Sequence, residues 1–163
     1  MDLTRKLSPH FTLRELCRSD TAVRMGIDNT PTEEYNRNLV VLCEEVLEKV
    51  RERFGPVRIN SGYRSLACNM AVNPISNIIS KISQHCTGCA ADFEVDGVAN
   101  GTVAQWCIDN LPEWDQLILE FYVPGQPNSG WVHVSYVKGK NRKQVLTAVK
   151  ENGKTVYIPG IVL

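Results

Sequence analysis

Leu39, Cys43, Val46, Val50 and Phe54 return every three or four positions against a polar background, the repeat of a helix that turns one face to a core. Thr30-Pro31-Thr32-Glu33 supplies a start signal ahead of this run, with Pro at the first helical position, and Gly55-Pro56 supplies the stop. Upstream, Thr12-Leu13-Arg14-Glu15 reads as a capping box, in which hydroxyl and carboxylate each satisfy a free backbone donor, and predicts a short first helix. Beyond the long helix, residues 57–60 alternate like a strand and run into the turn Ser61-Gly62-Tyr63-Arg64-Ser65, with Ser65 placed to cap a brief helix through Val72. Residues 73–81 read as a loop, 90–95 as a second strand, and 102–110 as a helix ended by Pro112. Residues 116–123 and 131–137 form a predicted hairpin around a Pro/Gly/Asn-rich connection. Asn152-Gly153 signals a last hairpin between 145–149 and 155–158.

Helices first and strands later predict an α+β fold, N-terminal helices packed on a small antiparallel sheet. The 163 residues are enough for one hydrophobic core and short for two, so a single domain, 1–163, is expected, acting as a monomer. Eighteen basic residues balance 18 acidic ones, and the basic residues are scattered instead of gathered into a stripe, which argues against nucleic acid as a partner. The opening residues lead into no apolar stretch, so neither a signal peptide nor membrane insertion is expected, and synthesis in the cytoplasm follows. The six cysteines mostly have apolar neighbours and read as free, buried thiols.

Three histidines occur in the chain, and two of them, His85 and His133, fall in or beside predicted strands. Asp92 lies in the apolar run Ala90-Ala91-Asp92-Phe93, where an unpaired carboxylate is costly to bury and calls for a cation or a strong donor. Two imidazoles and one carboxylate make a three-ligand zinc set with a fourth position for water. On spacing alone, two hydrogen-bonded core histidines and an Asp–Arg pair account for the same residues. Cys86-x-x-Cys89 has no second cluster to complete a structural zinc site and reads as packing.

Taken together, Ser61-Gly62-Tyr63-Arg64-Ser65, Ser83-Gln84-His85 with Gly88, Ala90 and Asp92, and Trp131-Val132-His133-Val134-Ser135 resemble in order and context the zinc D-Ala-D-Ala carboxypeptidase family, over roughly residues 8–137. That family includes phage L-alanyl-D-glutamate endopeptidases and vancomycin-resistance dipeptidases. The resemblance implies one Zn2+ held by His85, Asp92 and His133, Arg64 at the carbonyl of the scissile bond, and a peptidoglycan stem peptide as substrate. Ser83, Tyr63 and Trp131 are the residues expected to contact that substrate, with core packing as the other reading of the two aromatics. The sequence departs from the family pattern at residues 69–83, where a longer segment with Pro74 replaces a short Gly-Gly turn, and at Gly130, where relatives often carry a catalytic acid or histidine.

Strand geometry offers Glu120 in place of that missing group. If residues 124–129 connect the hairpin, Val123 faces Gly130 and Glu120 faces His133, with Leu119, Phe121, Val132 and Val134 on the opposite, core-facing side. Accepting a hydrogen bond, or binding zinc in place of Asp92, are the other roles open to Glu120. The expected activity is that of a phage endolysin made in the host cytoplasm and acting at the wall. A non-catalytic virion or tail protein that keeps the peptidase fold for wall binding, and a small cytosolic dipeptidase with a closed pocket, are the rivals.

Overall fold

The computed structural model describes residues 2–74 and 82–163. The segment 75–81, most of the predicted loop and of the departure at 69–83, lies outside the described residues. Helix α1 (Leu13–Cys17) opens with the Thr12/Glu15 capping box, and α2 (Asp20–Met25) is capped by Ser19 and closed by Gly26 in the left-handed region. The long helix is composite: α3 (Glu33–Leu42), a π turn (Cys43–Leu47) and α4 (Glu48–Phe54) follow without a break. Its N-cap is Thr32, two residues later than expected, and Pro31 precedes the cap instead of opening the helix. The cause is Asp28, whose carboxylate accepts the Thr30 amide at 2.9 Å and commits Thr30 to the preceding turn.

Strand β1 (Val57–Ser61) leads to α5 (Leu66–Val72), capped by Ser65 as expected, and a 3-10 turn (Gln84–Thr87) leads into β2 (Ala90–Val95). Helix α6 (Asn100–Asn110), β3 (Gln116–Glu120), β4 (Trp131–Ser135), β5 (Gln144–Glu151) and β6 (Lys154–Pro159) complete the fold. The strands form one sheet of order β1-β2-β4-β3-β5-β6. It is not purely antiparallel: β5 crosses over to the far side of β3 and pairs with it in parallel. The last hairpin turns on Asn152 (φ 49°) and Gly153 (φ 77°), the two left-handed residues that the Asn-Gly pair predicts.

Alternation along the strands divides the sheet into two faces. Ala91 and Phe93 of β2, Leu117 and Leu119 of β3, and Val132 and Val134 of β4 are fully buried on one face, where the long helix and α6 contribute Leu39, Leu42, Val46, Val50, Val103 and Cys107. Asp92 and His133 project from the other face, because each lies one residue from those core positions. The core therefore fixes which side of the sheet carries the chemistry. All six cysteines are free and buried, as expected, and burial pushes the Cys17 and Cys107 thiols up to about 12.

The β3–β4 register differs from the expected one. Ile118 faces His133, and Glu120 faces Trp131. Phe121 adopts φ 54° and leaves the strand, so the whole of 121–130 belongs to the connection and the pairing shifts by two positions. A shift of two preserves the face, so Glu120 stays on the side of His133. Phe121 does not join the core; its ring lies 5.4 Å from that of Trp131, on the site side.

Phe93 ties the sheet to the helices, and Phe93→Ala is expected to destabilise the fold by about 3–5 kcal/mol, measured by denaturant unfolding with an unchanged m-value. A loss below about 1 kcal/mol would mean that the sheet is not anchored through this ring.

Candidate metal centre

The turn between β1 and α5 is fixed on several sides. Tyr63 N donates to Leu16 O at 2.6 Å and Arg64 N to His85 O at 3.1 Å, while Ser65 N donates to Asn29 Oδ1 at 2.7 Å. Asn29 completes the clamp by donating from Nδ2 to the carbonyls of Cys17 and Tyr63. The turn in turn orients a ring: His85 Nδ1 lies 2.7 Å from Gly62 O. A carbonyl can only accept, so Nδ1 carries the proton and Nε2 of the neutral ring presents its lone pair.

That lone pair points to Asp92, whose Oδ2 lies 3.4 Å from His85 Nε2 and whose Oδ1 lies 2.8 Å from His133 Nδ1. Asp92 and His133 are cross-strand partners on β2 and β4, and His85 reaches the same point from the 3-10 turn, with its ring 5.2 Å from that of His133. One ligand atom from each residue lies within 4.8 Å of the others, and the His–Asp separations of 3.4 and 2.8 Å compare with the edge of roughly 3.4 Å expected for a tetrahedron with zinc bonds of about 2.0–2.1 Å. Two nitrogens and a carboxylate oxygen, with the His85 tautomer set by a carbonyl behind it, are the donor chemistry that zinc takes. The residues therefore fit the ion that their sequence pattern implies. Among the described residues this is the one group of three or more such side chains so placed, and Cys86 and Cys89 do not enter it.

Electrostatics at the centre are strongly coupled. Burial lowers the His85 pKa, outweighing the attraction of Asp92. Burial would act the same way on His133, but its hydrogen bond and charge interaction with Asp92 prevail and raise it. For Asp92, burial opposes ionisation, yet the two rings hold its carboxyl well below the usual range. Glu120, on the same face, is pushed up to about 7 by burial and by the negative charge of Asp92. Tyr157 is raised by burial and by the carboxylates of Glu120 and Asp92.

The set opens onto a cleft of about 1010 Å³ that also receives Arg64, Ser83, Glu120 and Trp131. Ser83 caps the 3-10 turn through its hydroxyl, which accepts from His85 N at 3.3 Å. Arg64 Nε is a buried donor with no hydrogen-bond partner among the described residues, while the Trp131 side chain interacts with the Glu120 carboxylate opposite it. An orphan donor of this kind costs about 1–3 kcal/mol until something accepts from it, and Arg64 belongs to the cleft wall. Tyr63 differs from the expectation: it is 5 % exposed, packs into the core beside Tyr35 and is not a cleft residue. The backbone of the Ser61–Ser65 turn, not the Tyr63 ring, is what this motif brings to the site.

Gly130 has a structural reason to be glycine. It sits at φ 65°, and a Cβ there would overlap the Glu120 carbonyl oxygen, so no acidic side chain fits at this position. Two supporting residues were not singled out by the sequence. One is Asn29. The other is Asp115, buried, which accepts from Arg142 Nε and Nη2 at 2.8 Å each and from Gln84 Nε2 at 2.6 Å. It joins the turn that carries His85 to the segment before β5, and the Arg142 hydrogen bonds hold its carboxyl below the usual range. Its sequence neighbours Glu113, Trp114 and Gln116 are mostly polar, so no apolar run marks it in the sequence.

A His2Asp donor set on one face of a sheet, opening into a cleft, is a donor set that mononuclear metallohydrolases use. The particular family follows from comparison of the whole sequence: the chain belongs to the Peptidase M15 family, whose profile matches residues 9–135. It is accordingly a metallopeptidase of a zinc-dependent, peptidoglycan-active family. No curated protein and no solved structure matches the chain.

Purified protein is expected to hold close to one zinc per chain, and Asp92→Ala to lose it, as measured by elemental analysis. Full zinc occupancy in Asp92→Ala would remove Asp92 from the set. Chelation should lower the melting temperature, because the ligands come from three separated segments and the ion binds only the folded arrangement.

Proposed function

We propose that the protein hydrolyses a peptide bond in the peptidoglycan stem peptide, either L-Ala-D-Glu or a bond at D-Ala, with His85, Asp92 and His133 as zinc ligands, Glu120 as general base and Arg64 as oxyanion stabiliser, in the manner of a phage endolysin. The observation that carries the reading is the convergence of Glu120 and Arg64 on the cleft that holds the His/Asp/His set. Bound zinc supplies Lewis-acid chemistry, lowering the pKa of water and polarising a carbonyl. Asp92 and the two rings provide its ligands, with the lone pair of His85 already directed inward by Gly62 O. Glu120 takes a proton from the attacking water and returns it to the leaving amine. Arg64, with Nε buried and unpartnered, donates to the oxygen on which negative charge develops, and its guanidinium stays charged throughout. Trp131 and Ser83 flank the reacting bond.

The wall-binding reading drew its support from the missing acid at 130, and Glu120 on the site face weakens that support. Among the described residues no helix is long and apolar enough to cross a membrane.

Glu120→Gln is expected to keep zinc and to cleave purified peptidoglycan at least about 10²-fold more slowly, the scale of general-base catalysis. Mass spectrometry of the digest, with and without chelator, identifies the bond. Near-normal cleavage by zinc-loaded Glu120→Gln would remove it as the base, and loss of zinc would move it into the metal shell. Arg64→Lys keeps the charge but loses the planar fork of donors, and should retain zinc while turnover falls by roughly 10²- to 10³-fold. An unchanged rate would leave Arg64 a structural role.

A further inference from the structure

The match to the Peptidase M15 family ends at residue 135, yet the sheet continues through two more strands. Trp131 on β4, Glu120 on β3, Ala148 on β5 and Tyr157 on β6 stand opposite one another in sequence across the sheet. Opposed residues share a face, so this row extends the site side of the sheet past Glu120. Ala148, the smallest of the four, is fully covered, while Glu120 and Tyr157 on either side of it line the cleft. One pleat along, Lys150 faces Thr155, and Lys150, Thr155 and Tyr157 all line the cleft that holds the His/Asp/His set.

Lys150 is held in place. Its Nζ donates to Thr155 Oγ1 at 2.9 Å and lies 5.2 Å from the centre of the Phe121 ring, which stacks edge-on against Trp131. The unusual backbone of Phe121 serves this arrangement: at φ 54° its amide donates to Ala148 O at 2.8 Å while its ring stays on the cleft side. The cleft lining includes three cations, Arg64, Arg142 and Lys150. Arg142 is neutralised by its two-pronged bond to Asp115, and Arg64 serves the reacting bond. Lys150 has no carboxylate partner among the described residues, although a hydroxyl and an aromatic face hold it in place. A strand spacing of about 4.8 Å sets β5 and β6 roughly 10 and 14 Å from β4, which is about three to four residues of extended peptide.

We propose that the β5–β6 hairpin is a substrate wall in which Lys150 binds a free carboxylate of the stem peptide a few residues from the scissile bond, with Tyr157 as the ledge beside it, so that Lys150 determines specificity for anionic peptides. The proposal deepens the peptidase reading and rests on it for the identity of the peptide. A charge-assisted hydrogen bond between Lys150 and a carboxylate corresponds to roughly a tenfold change in affinity.

The test compares zinc-loaded wild type, Lys150→Met and Lys150→Arg. Lys150→Met keeps the unbranched stem over Phe121 and removes the charge, and its melting temperature and zinc content confirm an intact fold. The probes are the pentapeptide L-Ala-γ-D-Glu-L-Lys-D-Ala-D-Ala, its D-glutamyl α-amide and its C-terminal amide. Calorimetry gives Kd, and turnover gives kcat and KM separately. Lys150→Met should raise Kd and KM for the parent peptide about tenfold, with little change in kcat and little effect on one of the two amides, which identifies the carboxylate. Lys150→Arg should stay close to wild type. Equal weakening toward all three peptides, or no weakening at all, overturns the proposal. Discrimination in Kd that depends on Lys150, with no cleavage by any zinc-loaded protein, would support the subsite and sink the peptidase reading. Cleavage that is indifferent to Lys150 would do the reverse.

Discussion

A carboxylate held between two imidazoles on one face of a sheet is the constraint to which the other features of the site answer. Asp92 is nearly buried, and no Arg or Lys pairs with it among the described residues; its neighbours are His133 Nδ1 at 2.8 Å and His85 Nε2 at 3.4 Å. A buried carboxylate against the lone pair of a neutral ring is unfavourable unless a proton or a cation stands between them. The His85 tautomer is fixed from behind by Gly62 O, so the protein has arranged its donors to require a positive charge at their centre. Much of the surrounding structure secures that arrangement. The Asn29 clamp holds the turn that carries Gly62, and Asp115 with Arg142 and Gln84 holds the turn that carries His85.

The sheet converts core packing into site geometry. Because side chains alternate, the burial of Phe93 and Ala91 forces Asp92 outward, and the burial of Val132 and Val134 forces His133 outward beside it. The same alternation carries Glu120 to the site face and extends that face to Tyr157 and Lys150 on strands beyond the family match. Stability and chemistry thus draw on opposite faces of the same strands, and a core substitution that shifts a strand would move the ligands with it.

How much could be read from the chain depended on whether the signal was local. The capping box at Thr12, the Ser65 cap and the Asn152-Gly153 turn are short-range chemistry and appear as expected. Asp92 was legible for a related reason: a carboxylate in an apolar run announces a buried partner. Asp115, with Glu113 and Gln116 beside it, and Asn29, before a Thr-Pro, read as ordinary loop residues and carry no such signal. Long-range features were harder. The parallel pairing of β5 with β3 depends on a crossover that no local pattern encodes. The β3–β4 register was misplaced by two because the left-handed conformation of Phe121, an uncommon state for an aromatic residue, lengthens the connection. The face of Glu120 survived the error only because the shift was even. Tyr63 shows the converse: its motif belongs to the site, while its ring belongs to the core.

His85, Asp92 and His133 are proposed to hold one zinc ion together. An anomalous difference map from crystals of zinc-loaded protein, collected on both sides of the zinc absorption edge, tests it most directly. A single peak is expected about 2.0–2.2 Å from His85 Nε2, His133 Nδ1 and an Asp92 oxygen, with at least one coordination position open to the cleft. A peak at Cys86 and Cys89, or one that leaves out any of the three residues, would contradict it.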